Sequence, residues 1–136
     1  MNLLKGNIYK DGRGFISYNN HFDASEIKRI YIIENADTDF VRGWQGHKIE
    51  QRWFACIKGS FRIQVIAIDS FDKPNPELPI ESFTVKEGPL DFLHIPSGCV
   101  TAIQALEEAS KLLVLADHLI GKVQDEYRFD IDYFKK

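Results

Sequence analysis

The sequence predicts an all-β fold, closed into a barrel or a two-sheet sandwich, on three observations. Several short runs alternate apolar and polar residues at period two, the spacing that places successive side chains on opposite faces of a strand. Others are short, nearly continuous apolar stretches bounded by glycine or polar residues, which read as buried strands. No long amphipathic helix separates them, so a parallel α/β sheet is disfavoured.

Taken in order, residues 28–34 put Arg29, Tyr31 and Ile33 on one face and Ile30 and Ile32 on the other. Residues 52–57 and 111–116 are the continuous apolar stretches, too short for typical helices. The run 61–68 returns to alternation, with Phe61, Ile63, Val65 and Ala67 on one side. Residues 83–85, 92–95 and 101–106 are three further strand candidates. Gly12-Arg13-Gly14, Lys58-Gly59-Ser60, 86–89 and 96–98 supply turns, and 69–79, with three prolines, reads as a longer surface loop. Residues 24–30 and 106–110 have room for a helical turn at most. The tail, 125–136, is aromatic enough to pack against the rest.

The chain has 136 residues, expected to form one domain over 1–136. A hydrophobic fraction of 44%, a charged fraction of 27% and a formal charge of −3 suit a globular chain. They argue against disorder and against a nucleic-acid partner. No apolar run reaches the roughly eighteen residues that span a bilayer, and the start, Met1 to Gly6, lacks a signal peptide's apolar region. The expectation is a cytoplasmic protein without membrane contact. Cys56 and Cys99, without CxxC spacing, read as buried reduced thiols.

The chemistry is concentrated in Arg42-Gly43-Trp44-Gln45-Gly46-His47-Lys48-Ile49-Glu50. Gln45 and His47, two apart on a strand, are directed together into a barrel mouth. Downstream, Pro96-Ser97-Gly98 leads into another strand. These two pieces resemble the paired signature segments of the cupin superfamily, which implies a double-stranded β-helix, or jelly-roll barrel. In metal-binding cupins the first segment is His-x-His followed by Glu, and the second adds a His. Here Gln45 and Thr101 stand near two of those positions, and His47 with Glu50 is a thin ligand set. Neither a metal nor another cofactor is expected.

A closer resemblance runs over nearly the whole chain. Asp11-Gly-Arg-Gly14, Lys28-Arg-Ile-Tyr31, Arg42 to Lys48, Leu93-His-Ile-Pro96, and the leucine-rich strand 112–117 with Tyr127-Arg128 and an acidic aromatic tail follow one another. In that order they resemble the sugar 3,4-ketoisomerases of the WxcM-like family, relatives of the dTDP-4-dehydrorhamnose 3,5-epimerases. The resemblance implies an isomerase or epimerase of a dTDP-linked 4-keto-6-deoxy sugar, serving surface-polysaccharide (lipopolysaccharide) biosynthesis as a homodimer. It departs at Gln45, where the family has His, and at Val100 and Thr101, where Trp and His are usual.

Under this resemblance His47 is the catalytic base and shuttle, an imidazole being matched to proton transfer near neutral pH. Tyr31 or Arg29 donates to the enediolate oxygen, and Tyr31 can also serve as the acid. Arg13 and Arg42 are assigned to the diphosphate, for their forked donors. Gln45 hydrogen-bonds but does not exchange protons usefully, so it orients the sugar if the second motif histidine is the base. If the first is, the protein is impaired or has changed its reaction; a non-catalytic module that binds a nucleotide sugar or a partner enzyme is the second reading, and a metal-dependent cupin dioxygenase the third. Plainer roles stand beside these. His21, His94 and His118 read as surface or structural, Arg29 and Arg42 as partners of rim carboxylates, Tyr31 as core. Trp44 and Trp53 read as packing or dimer-contact residues, and the aromatic tail as packing.

Overall fold

The computed structural model describes residues 1–119 and 126–134. Among the described residues there are twelve strands and no helix: β1 (Asn2–Leu4), β2 (Asn7–Asp11), β3 (Gly14–Tyr18), β4 (Arg29–Ile33), β5 (Val41–His47), β6 (Arg52–Lys58), β7 (Ser60–Ala67), β8 (Glu81–Lys86), β9 (Phe92–Ile95), β10 (Cys99–Ala105), β11 (Lys111–Ala116) and β12 (Glu126–Arg128). Among the described residues no helix is long and apolar enough to cross a membrane. They build two five-stranded sheets, β1-β9-β6-β11-β4 and β12-β5-β10-β7-β8, and a separate two-stranded hairpin, β2-β3. Every pairing is antiparallel. The two larger sheets face each other as the expected jelly-roll barrel.

Alternation explains which faces close on each other. Phe61, Ile63 and Val65 of β7 are wholly buried, and they meet Phe54, Leu93, Leu112 and Val114 from the opposite sheet in the main core. Burying such a side chain contributes about 1.5–3 kcal/mol, so this layer holds the sheets together. The continuous apolar stretches are buried on both faces for a visible reason. The far side of β6 and β11 carries Trp53, Ala55 and Leu115 under Phe22 and Ile27 of the 19–28 segment. Phe22 stacks on Phe92 at 4.3 Å and meets Trp53 edge-on at 6.0 Å. The far side of the second sheet carries Trp44, Ile66, Val100 and Ala102 beneath Phe134 of the tail, as its aromatic composition predicts.

The segments given room for a helical turn contain only turns. Ile27 N–H donates to Ala24 carbonyl at 3.1 Å and the chain enters β4 two residues later. At 106–110 Ala109 takes φ 60°, which ends any helical continuation. The β6-β7 connection is the single residue Gly59, at φ 74°, where a Cβ would lie 2.0 Å from Ser110 Oγ. Only glycine meets both demands. The first three strands and the short β12 are additions to the strands read from the sequence.

Candidate active site

Between the sheets, toward one end of the barrel, lies a cavity of about 220 Å³. The first sheet contributes Tyr31 from β4 and Arg52 from β6; the second contributes Arg42, Gln45 and His47 from β5, Thr101 and Cys99 from β10, and Arg128 from β12. Glu50, in the connection from β5 to β6, closes one side.

Pairing between β5 and β10 determines which side chains enter. Cys99 lies opposite His47 and Thr101 opposite Gln45, but the next inward pair is Ile103 with Arg42, across a register shift. Three steps along β5 therefore match two along β10. This is a β-bulge, the extra residue falling at Gly43-Trp44. Strict alternation from His47 and Gln45 turns Gly43 inward and Arg42 outward; the bulge returns Arg42 to the cavity. Trp44 is left on the opposite face, its Nε1 donating to Ile131 carbonyl at 3.1 Å. Arg42 is then held from behind, its Nε donating to Asn35 Oδ1 at 3.2 Å while Asn35 Nδ2 donates to Ile103 carbonyl at 3.2 Å.

His47 is 7% exposed and Glu50 5%. Glu50 is the centre of a charged cluster: its Oε2 accepts from Arg52 Nε at 2.8 Å and from Arg29 NH2 at 3.3 Å. A buried carboxylate requires such partners, because desolvation otherwise costs several kcal/mol. Arg52 also donates, through NH1, to the Tyr31 hydroxyl. Both guanidiniums lie over the Tyr31 ring, at 5.1 Å for Arg29 and 5.7 Å for Arg52.

At the rim, Gln45 Nε2 donates to Glu126 Oε2 at 2.9 Å, and Arg128 Nε donates to the same oxygen at 2.7 Å. The contact follows from register, since β12 pairs with β5 so that Arg128 lies opposite Gln45 and Glu126 opposite His47. Thr101 is nearly buried and its hydroxyl points to Gln45 carbonyl at 3.5 Å. Burial pushes the Cys99 thiol up, so the cavity wall beside His47 carries a neutral sulfur. Among the described residues no three His, Cys, Asp or Glu side chains gather as a metal site.

Of the residues singled out in the sequence, Tyr31, Arg42, Gln45 and His47 line the one cavity. Arg29 stands behind it, on the same face of β4 as Tyr31 but engaged with Glu50. Arg13 is elsewhere. It sits in the β2-β3 turn, its exposed guanidinium bonded to Asp11 Oδ2 at 2.8 Å, and lines a shallow hollow with Tyr9 and Phe15. The pairing holds the Asp11 carboxyl below its usual range. The reason it lies apart from this cavity is topological: the hairpin belongs to neither barrel sheet. Arg52 and Arg128 are additions. Arg52 was hidden in an apolar strand, although the period-two spacing Glu50, Arg52, Phe54 marks it as sharing the inward face. His94 and His118 lie outside the cavity: His94 stacks on Trp53 at 4.9 Å and bonds Gln51 Oε1 at 2.7 Å, and His118 bonds Asp117 at 2.8 Å. Both cysteines are free and buried.

Comparison with known proteins finds the same fold. The chain is similar to a variant of the 3,4-ketoisomerase QdtA from Thermoanaerobacterium thermosaccharolyticum, solved in complex with TDP-4-keto-6-deoxyglucose. Identity is 26%, covering 94% of this chain and 86% of that one, with a TM-score of 0.71. A 3,4-ketoisomerase from Helicobacter canadensis is 25% identical over 89% of this chain and 85% of its own, at TM-score 0.68. The dTDP-4-dehydrorhamnose 3,5-epimerase of Bacillus anthracis shares the fold at 12% identity, over 90% and 75% of the two chains, at TM-score 0.72. None of the curated proteins matches the chain. The sequence model of the family described as FdtA, WxcM-like, C-terminal, matches residues 2–136, and the chain belongs to that family.

Proposed function

We propose that the protein is an isomerase of a dTDP-linked 4-keto-6-deoxy sugar, moving the ketone from C4 to C3, with His47 as the proton carrier. The observation that carries this reading is that an imidazole, a phenol and guanidiniums line one partly enclosed cavity. The two ketoisomerases reported above, at 25% and 26% identity, support the same reaction class. Migration of the ketone needs a base beside the carbon next to the carbonyl, a donor to the carbonyl oxygen, and cations for the diphosphate. His47 supplies the first, Tyr31 the second, and Arg42 with Arg128 at the rim the third.

His47 takes the proton from C3 while the C4 carbonyl oxygen takes one from Tyr31, giving an enediol, an imidazolium and a phenolate. The imidazolium then returns its proton to C4, the C3 hydroxyl proton passes to the phenolate, and the C3 ketone forms. Both side chains end as they began, so no cofactor enters. Gln45 orients a sugar hydroxyl, its amide NH2 being taken up by Glu126. Arg13 stays assigned to the diphosphate; within the single chain it is paired with Asp11 at an exposed turn outside this cavity.

A homodimer in the cytoplasm, acting in surface-polysaccharide biosynthesis, completes the proposal. A two-stranded hairpin alone is marginal in water, and β2-β3 exposes Ile8, Tyr9, Phe15 and Ile16, while β4 exposes Ile30 and Ile32. A second copy covering these groups supports the dimer. A second reading, a barrel that binds a nucleotide sugar without turning it over, is favoured by the amide at Gln45. The test is incubation with dTDP-4-keto-6-deoxyglucose and identification of the product by NMR. A 3-keto product carries the isomerase reading; tight binding with unchanged substrate transfers the case to the binding module.

A further inference from the structure

We propose that Arg52, anchored by Glu50, is a positioning residue that makes Tyr31 the proton donor to the sugar oxygen. The inference deepens the isomerase reading and rests on it. Its starting point is the contact between Arg52 NH1 and the Tyr31 hydroxyl. A guanidinium only donates hydrogen bonds and a phenol both donates and accepts, so this contact has one direction: Arg52 donates and the Tyr31 oxygen accepts. The phenol's own proton is thereby turned away from Arg52. Both residues line the cavity that His47 enters, and the free direction is toward the space the sugar occupies.

Arg52 is held in that role by a second bond. Its Nε donates to Glu50 Oε2 at 2.8 Å, and Glu50 is 5% exposed and also bonded by Arg29. The guanidinium is committed at two points, to the carboxylate and to the phenol, which separates it from Arg42 and Arg128, nearer the substrate's charged half in the proposal above. When Tyr31 passes its proton to the C4 oxygen, a phenolate forms between two cations already in place, at 5.1 and 5.7 Å from its ring. Charges fixed beforehand in a partly enclosed site stabilise developing charge without reorganisation. The phenolate is reprotonated by the C3 hydroxyl in the second half of the reaction, so Tyr31 carries protons between oxygens while His47 carries them between carbons.

The experiment is a double-mutant cycle with Arg52→Met, Arg52→Lys and Tyr31→Phe, reading kcat and KM for the keto sugar and Kd for TDP. Arg52→Met is expected to lower kcat by about 10²-fold, the usual cost of one lost transition-state donor, with KM and TDP affinity unchanged. Arg52→Lys is expected to recover part of that loss, since an ammonium still donates to the phenol. In the Tyr31→Phe background Arg52→Met is expected to change nothing further. If Arg52→Met does not fold, Arg52→Lys alone decides, lowering kcat beside Tyr31 and having no effect in the Tyr31→Phe background. A rise in KM at constant kcat, or additive losses in the double variant, overturns the role of Arg52 while leaving the isomerase reading standing. A folded wild-type chain that binds TDP and turns over no keto sugar overturns both.

Discussion

Arg42 lies opposite Ile103 although Gln45, three residues further on, lies opposite Thr101, only two residues before Ile103. That one-residue slip turns a guanidinium into the cavity beside His47. In the proposed function Arg42 holds the diphosphate, so its replacement with methionine removes charged hydrogen bonds each worth about 1.5–3 kcal/mol. We predict TDP binding weaker by about 10–100-fold, read by calorimetry, with a much smaller change in the rate of the bound sugar. An unchanged Kd removes Arg42 from the diphosphate site.

Gly59 is a prediction about folding. Gly59→Ala has to place a Cβ at φ 74° and 2.0 Å from Ser110 Oγ. Strain of this kind costs about 1–3 kcal/mol, so the urea midpoint should fall with the m-value unchanged. A midpoint equal to wild type contradicts the geometry of the β6-β7 turn.

His94 makes stability depend on mild acid. Burial lowers its pKa from the ordinary 6.5. Below pH 6.5 the unfolded chain takes up a proton that folded His94 refuses, so its contribution is present at higher pH and is lost as pH falls. His94→Gln, which keeps a donor for Gln51, should flatten the decline in urea midpoint between pH 7.5 and 5.5. A decline as steep as wild type assigns it to other groups.

The cysteines act at the alkaline end. Burial pushes the Cys56 thiol from 9.0 to about 11, and Cys99 is also raised. An unfolded chain loses these protons first, so stability is full below pH 9 and falls as pH rises toward about 11 for Cys56. Native protein at pH 8 should resist a thiol reagent that labels both cysteines once the chain is unfolded, because the reactive species is the thiolate. Rapid labelling of the native chain contradicts this burial.

The barrel was legible because its strands are either alternating or buried on both faces, and those patterns survive in sequence. Val114 and Leu115 look alike there; what separates them is that one meets Phe54 and the other lies under the 19–28 segment. His47 and Gln45 were legible by the same alternation. Arg42 entered only by resemblance, since alternation alone turns it outward and the bulge depends on pairing with a strand nearly sixty residues away. Arg128 reaches the rim through a still more distant pairing of β12 with β5. Where Arg13 lies was not legible, because a motif says nothing about where a hairpin outside both sheets is carried.

The most direct measurement is solvent exchange on the sugar. Wild type and His47→Asn are each incubated with dTDP-4-keto-6-deoxyglucose in deuterated water, and the C3 proton signal is followed by NMR. With His47 as proton carrier, wild type washes the signal out and His47→Asn is slower by about 10²–10⁴-fold while still binding TDP. Exchange in His47→Asn at the wild-type rate contradicts that role.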